Sequence, residues 1–192
     1  KREIICGYGE ILKHSLISNE KYFKFLNKNA SEIINLKNPY IEKAIKESCI
    51  IKKKIIEKDE KEKDLRKILN LGHTFAHAYE ASLNYSKKLN HGEAVLLGII
   101  TAAKFSLKNN LLKIRDYNLI KNHLIDFKLP INIKKYFFKK DIKKIVSFIK
   151  ADKKNNDRAI NLVLLRKIGK PLYKLKFSDK KIRSFLDKEL IN

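Results

Sequence analysis

Six side chains able to hold ions or move protons, Glu62, Arg66, Asn70, His73, His77 and Glu80, follow one another at intervals of four, four, three, four and three residues. On an α-helix that spacing stacks side chains along one face. Ile68, Leu69, Phe75, Ala76 and Tyr79 lie off the stripe. The segment is therefore expected to bury an apolar side while aiming carboxylates, a guanidinium, an amide and two imidazoles into a shared space. A short loop later, L-N-H-G-E adds His91. Zinc in a catalytic site takes three protein ligands from His and carboxylate and leaves a fourth position for water or substrate. His73 and His91 can supply two of these, and by spacing alone the carboxylate can be Glu10, Glu62, Glu80 or Glu93. A second set, Lys13, Lys52, Arg66 and the Lys153-Lys154 pair, offers cations for phosphate or carboxylate, Arg by bidentate contact and Lys as a point charge. Taken singly, each of these is an ordinary solvent-exposed cation. Neither G-x-G-x-x-G nor G-x-x-x-x-G-K-[ST] occurs, so the sequence offers no loop to cradle a nucleotide.

Helices must position these groups. Residues 1–17 read as a helix that follows Gly7 and Gly9 and carries Glu10, Lys13 and His14. Ser18 and Asn19 offer a cap for a second, short helix through Phe25 and Leu26. Asn38-Pro39 breaks the chain, and a long helix from Tyr40 to about Glu57 carries Lys52 near its end. The run D-E-K-E-K-D, Asp59 to Asp64, reads as a solvated loop or first helical turn, with Glu62 opening the polar stripe. Ala94 to Leu107 is apolar nearly all round, which predicts a buried central helix packed closely through Gly98, Ala102 and Ala103. Asp116, Asp141 and Ser178 are candidate caps for three later helices, and A-I-N-L-V-L-L is the one strand candidate, closed by Gly169 and Pro171.

With 192 residues and 44% hydrophobic content the chain can bury a core, and one main domain over residues 1–192 is expected. Its 44 Lys and Arg against 21 Asp and Glu give a charge of +23, which raises the question of a polyanion partner. The lysines are scattered through nearly every segment, however, without an aromatic-basic motif or zinc-finger spacing, so nucleic acid is not the expected partner. Cys6 and Cys49 are isolated, which fits a reducing, cytoplasmic setting. No apolar run reaches the ~18 residues of a membrane span. The sequence contains no Met, so it is expected to begin partway into a longer protein or to have been trimmed.

The segments G-Y-G-E-I-L-K, K-K-K-I-I-E-K-D-E-K-E-K-D-L-R-K-I-L-N-L-G-H-T-F-A-H-A-Y-E, L-N-H-G-E-A-V-L-L-G-I and D-K-K-N resemble, in order and at compatible distances, the carboxy-terminal half of dehydroquinate synthases. The resemblance implies a mainly α, multi-helical domain with a small β element, the amino-terminal α/β NAD-binding domain being absent from this chain. It implies Glu10, His73 and His91 as the ligands of a Zn2+ or Co2+ ion. Lys13, Lys52, Arg66, Asn70, His77 and one of Lys153 and Lys154 match positions that hold the substrate's carboxylate, hydroxyls and phosphate. Glu62 and His77 match proton-transfer positions, with Lys13 and Arg66 also counted in the catalytic set.

The family converts the seven-carbon sugar acid phosphate of the shikimate pathway to dehydroquinate and phosphate, using NAD. A homodimer, and a separate or upstream NAD-binding half, are further implications. Three departures stand out: Gly9 replaces the alanine that usually precedes the metal Glu, Ala76 replaces the second glycine of G-H-T-x-G-H, and His14-Ser15 replaces the usual Tyr-Gly. None removes a ligand. Competing readings are another sugar phosphate cyclase, such as a 2-deoxy-scyllo-inosose synthase, an inactive remnant, or a basic nucleic-acid-binding module.

Overall fold

The structure, a computed structural model, describes residues 2–151 and 159–190. Its helices are α1 (Arg2–Ser18), α2 (Glu20–Ile34), α3 (Tyr40–Lys58), α4 (His73–Ser82), α5 (His91–Lys108), α6 (Ile114–Asp126), α7 (Ile142–Ala151) and α8 (Asp179–Leu190). Between α7 and α8 lies an antiparallel hairpin of β1 (Ala159–Lys167) and β2 (Lys170–Ser178). No helix among the described residues is long and apolar enough to cross a membrane.

α5 sits at the centre. Every residue from Gly92 to Ala103 is buried, with Phe105 and Ser106 beyond, as an all-round apolar sequence requires. α1, α4, α6 and β1 pack against it. β1 alternates in burial, turning Ile160, Leu162 and Leu164 inward, and the Leu165 amide donates to Ser106 Oγ on α5 at 3.1 Å. At the hairpin tip the Gly169 amide donates to the Leu16 carbonyl at 2.8 Å, which docks the turn on the end of α1.

Several expectations change. α1 runs straight through Gly7 and Gly9, because the rest of the segment buries Tyr8, Ile11, Leu12 and Leu16 on α2, α3 and α5. α2 is capped by Asn19, whose side chain accepts from the Tyr22 amide at 2.7 Å, but it continues past Leu26 to Ile34 across an irregularity at Asn29. Asp116 lies inside the first turn of α6, where Lys113 is the cap position. Gly169 and Pro171 do not end the sheet. They lead into β2, whose mixed K-P-L-Y-K-L-K-F-S sequence has no fully buried position and so a weak strand signal.

The polar stripe is not one helix. Glu62 has φ 52° in a turn, Leu65–Asn70 forms a 3-10 turn, and α4 begins only at His73. The break falls at Gly72, with φ 81°, a backbone conformation that favours glycine. The Asp59 carboxylate fixes the approach to it, accepting from the amides of Lys63, Asp64 and Arg66 at 2.8 to 2.9 Å.

Candidate metal centre

Three helices each contribute one donor. Glu10 lies midway along α1, His73 is the first residue of α4, and His91 is the first residue of α5. One oxygen of Glu10 and one ring nitrogen of each histidine all lie within 4.8 Å of one another. Glu10 Oε1 is 3.4 Å from His73 Nε2, and the rings of His73 and His91 are 5.7 Å apart between centroids. One turn along α4, His77 joins the cluster, its ring 5.4 Å from that of His73 and 6.2 Å from that of His91.

The other carboxylates left open by spacing are engaged elsewhere. Glu62 Oε1 accepts from Asn70 Nδ2 at 3.0 Å. Glu93 pairs with Arg2 and accepts from the Asn90 amide at 2.9 Å, closing the start of α5. Glu80 lies behind His91, its two oxygens 3.1 and 3.2 Å from Nδ1.

Charge in the cluster is finely set. Burial works against the Glu10 carboxylate, but Lys13 outweighs it and holds the group below its usual range, with His73 assisting. Lys13 is itself only 4% exposed, and its Nζ donates to Glu10 Oε2 at 2.6 Å. Burial lowers the Lys13 ammonium, and burial together with Lys13 pushes His73 well down, so His73 stays neutral. The Glu80 contact raises half-exposed His91.

The donors fit a divalent ion. Glu10 Oε1 is buried and accepts no hydrogen bond among the described residues, an arrangement that is costly unless a cation is nearby. His91 Nδ1 faces the Glu80 carboxylate and His73 Nδ1 is 3.4 Å from the Leu71 carbonyl. An acceptor behind each imidazole is the arrangement that directs the other ring nitrogen toward a metal. Two imidazoles and one carboxylate form the ligand set of open zinc sites.

Around this centre the expected substrate residues are distributed unevenly. Lys52 lies on the exposed side of α3, near enough for its charge to lower Lys13. It follows by one turn Ser48, whose Oγ is 2.6 Å from Nδ1 of buried His14. Arg66 is in the 3-10 turn, its NH1 donating to the Glu60 carbonyl at 2.6 Å. Glu62 and Asn70 line a cavity of about 530 Å³ with Lys67, Thr74, Tyr173 and Lys174. Lys153 and Lys154 lie outside the described residues. Sequence reasoning passed over Lys67 and Lys174, the latter because β2 was not foreseen, although Tyr173, Leu175 and Phe177 alternate with Lys174, Lys176 and Ser178 in a faint period of two.

The comparisons agree with this geometry. A family model described as "3-dehydroquinate synthase C-terminal" matches residues 7–155. The 3-dehydroquinate synthase of Pelagibacter ubique is 60% identical over 190 residues, covering 99% of this chain and 52% of the relative. That of Thermoanaerobacter pseudethanolicus is 40% identical over 170 residues, 88% of this chain and 46% of the relative. The chain thus spans about half the length of the curated relatives it matches. Among solved structures, ValA, a 2-epi-5-epi-valiolone synthase from Streptomyces hygroscopicus with NAD+ and Zn2+ bound, superposes with a TM-score of 0.83 at 18% identity, covering 98% of this chain and 51% of that one. A 2-deoxy-scyllo-inosose synthase complexed with carbaglucose-6-phosphate, NAD+ and Co2+ gives 0.79 at 22% identity, covering 97% and 52%. At such identities these two show the fold alone. The match over residues 7–155, on a scaffold that gathers Glu10, His73 and His91, means that this chain belongs to the 3-dehydroquinate synthase C-terminal family.

Proposed function

We propose that this chain is the metal- and substrate-holding half of a 3-dehydroquinate synthase, a carbon-oxygen lyase of the shikimate pathway acting in the cytoplasm. The whole enzyme converts 3-deoxy-D-arabino-heptulosonate 7-phosphate to 3-dehydroquinate and phosphate, with NAD held mainly by a second half. The observation that carries this reading is the meeting of Glu10, His73 and His91 within 4.8 Å. These three residues hold Zn2+ or Co2+. A divalent ion there polarises a substrate hydroxyl and lowers its pKa.

The chain's own groups do the remaining work. Lys13, Lys52, Arg66 and one of Lys153 and Lys154 hold the carboxylate and phosphate of the substrate, so that successive steps run in one pocket. Asn70 and His77 hold hydroxyls. Glu62 and a ring nitrogen of exposed His77 are the proton-transfer groups. The unpaired cysteines Cys6 and Cys49 accord with a reducing compartment. The relative at 60% identity favours this substrate over those of other cyclases, whose likeness at 18 and 22% extends only to the fold.

Metal titration and phosphate release test the proposal together. The purified chain is expected to take up about one Zn2+ or Co2+. Phosphate release from the sugar acid is expected only when NAD and an amino-terminal half are added. No metal uptake, or phosphate release without NAD, would overturn it.

A further inference from the structure

Each proposed metal ligand has a glycine beside it: Gly9 precedes Glu10, Gly72 precedes His73, and Gly92 follows His91. These glycines meet backbone from the neighbouring elements. A Cβ placed on Gly92 would overlap Cys6 Cα on α1 and lie 2.6 Å from the Cys6 carbonyl oxygen. One placed on Gly72 would lie 2.7 Å from the Ile99 amide nitrogen of α5, and one on Gly98 would overlap the Gly72 carbonyl oxygen and sit 2.9 Å from its carbonyl carbon. Gly92 and Gly98 are six residues apart on α5, a rotation of about 240° around the helix axis, so the two notches face different partners. One receives α1, which carries Glu10, and the other receives the residue that starts α4 at His73.

We infer that Gly92, Gly98 and Gly72 are positioning residues for the Glu10, His73 and His91 set, α5 serving as a ruler whose two backbone notches fix how closely the three donors converge. The inference rests on the metal reading given above. Metal-ligand distances tolerate about 0.2 Å, whereas a methyl group at either notch forces backbone apart, and backbone has no rotamer with which to yield. Gly9 supplies a graded case. Its Cβ would be 3.0 Å from the Gly92 carbonyl oxygen and 3.4 Å from Leu96 Cγ, a tight fit for one methyl group, whereas the branched side chain of Gly9→Val forces α1 off α5.

The test is a Co2+ titration of the full chain, wild type and variants, read by visible absorption and by calorimetry, with the thermal midpoint of the metal-free protein measured alongside. Gly98→Ala and Gly92→Ala are expected to lose Co2+ affinity by a hundredfold or more. Gly9→Ala, which restores the alanine usual before the metal Glu, is expected to keep near wild-type affinity and spectrum, whereas Gly9→Val is expected to fold, to bind severalfold more weakly and to show shifted cobalt bands. As a control, Leu124→Ala, in the buried face of α6, lowers the midpoint while leaving affinity and spectrum unchanged. Should Gly92→Ala and Gly98→Ala fail to fold, Gly9→Val decides the matter. Wild-type affinity and spectrum in Gly9→Val, or a Leu124→Ala variant that loses metal equally, would overturn the ruler while leaving the metal reading standing. Failure of the wild type to bind cobalt would instead overturn the metal reading, and the ruler with it.

Discussion

Glu80 Oε2 lies 3.1 Å from His91 Nδ1, joining the last turn of α4 to the first residue of α5. The carboxylate accepts, so Nδ1 carries the proton and Nε2 keeps its lone pair for an ion. Two ligands on different helices are thus coupled, because α4 also begins with His73. Glu80→Gln retains an acceptor but removes the charge. It is expected to weaken Zn2+ binding by about 10- to 100-fold, measured by competition with a chromophoric chelator, and unchanged affinity would remove Glu80 from the site.

Histidine content alone does not make a ligand. His123 is fully buried between Tyr8 OH and Asn27 Oδ1, at 2.8 and 2.9 Å, and is not a member of the donor cluster found among the described residues. His91→Ala is expected to abolish stoichiometric metal uptake with little change in folding, since the His91 side chain is about half exposed. His123→Ala is expected to do the reverse, keeping the metal while losing about 2 to 4 kcal/mol of stability through a cavity and two orphaned polar partners. Elemental analysis and urea unfolding of the two variants check both halves of this contrast.

Local chemistry made the helices legible and long-range packing hid the rest. Apolar residues on every face of Ala94 to Leu107 marked α5 as central, and Asn19 was readable as a cap because its side chain satisfies a nearby amide. The stripe from Glu62 to Glu80 had helical spacing yet folds as a turn, a 3-10 segment and a helix. What overrides the spacing is Gly72 pressed against Gly98 and Ile99, a contact between residues distant in sequence. Spacing also left four carboxylates open as the metal ligand, because three of them differ from Glu10 only in partners that tertiary structure supplies: Asn70, His91 and Arg2. β2 was missed since half its positions face solvent.

Lys13 and a metal ion would share one carboxylate. Lys13 Nζ holds Glu10 Oε2 at 2.6 Å while Oε1 is left to the ion. Lys13→Met keeps the buried stem but removes the competing cation. Zn2+ affinity is then expected to hold or rise, whereas affinity for an anionic sugar phosphate in the complete enzyme falls at least tenfold, the scale of a lost charge-assisted hydrogen bond. Parallel metal and ligand titrations measure this, and a variant that loses metal instead would show that Lys13 supports the site rather than sharing it.

Acid is expected to unfold the metal-free protein through its buried imidazoles. Burial pushes His123 down to about 4, and burial followed by Lys13 pushes His14 to about 4. An unfolded histidine titrates near 6.5, so between those values the unfolded chain binds protons that the folded chain refuses. The contribution of these two histidines is therefore fully present above about pH 6.5 and is lost as pH drops toward 4. For fully buried His123 the shift corresponds to about 3 kcal/mol. His123→Gln, which keeps a polar side chain among Tyr8 and Asn27, is expected to show a shallower loss of urea-unfolding free energy between pH 7 and 4.5 in the presence of chelator. Equal slopes for variant and wild type would mean that the acid transition lies with other groups.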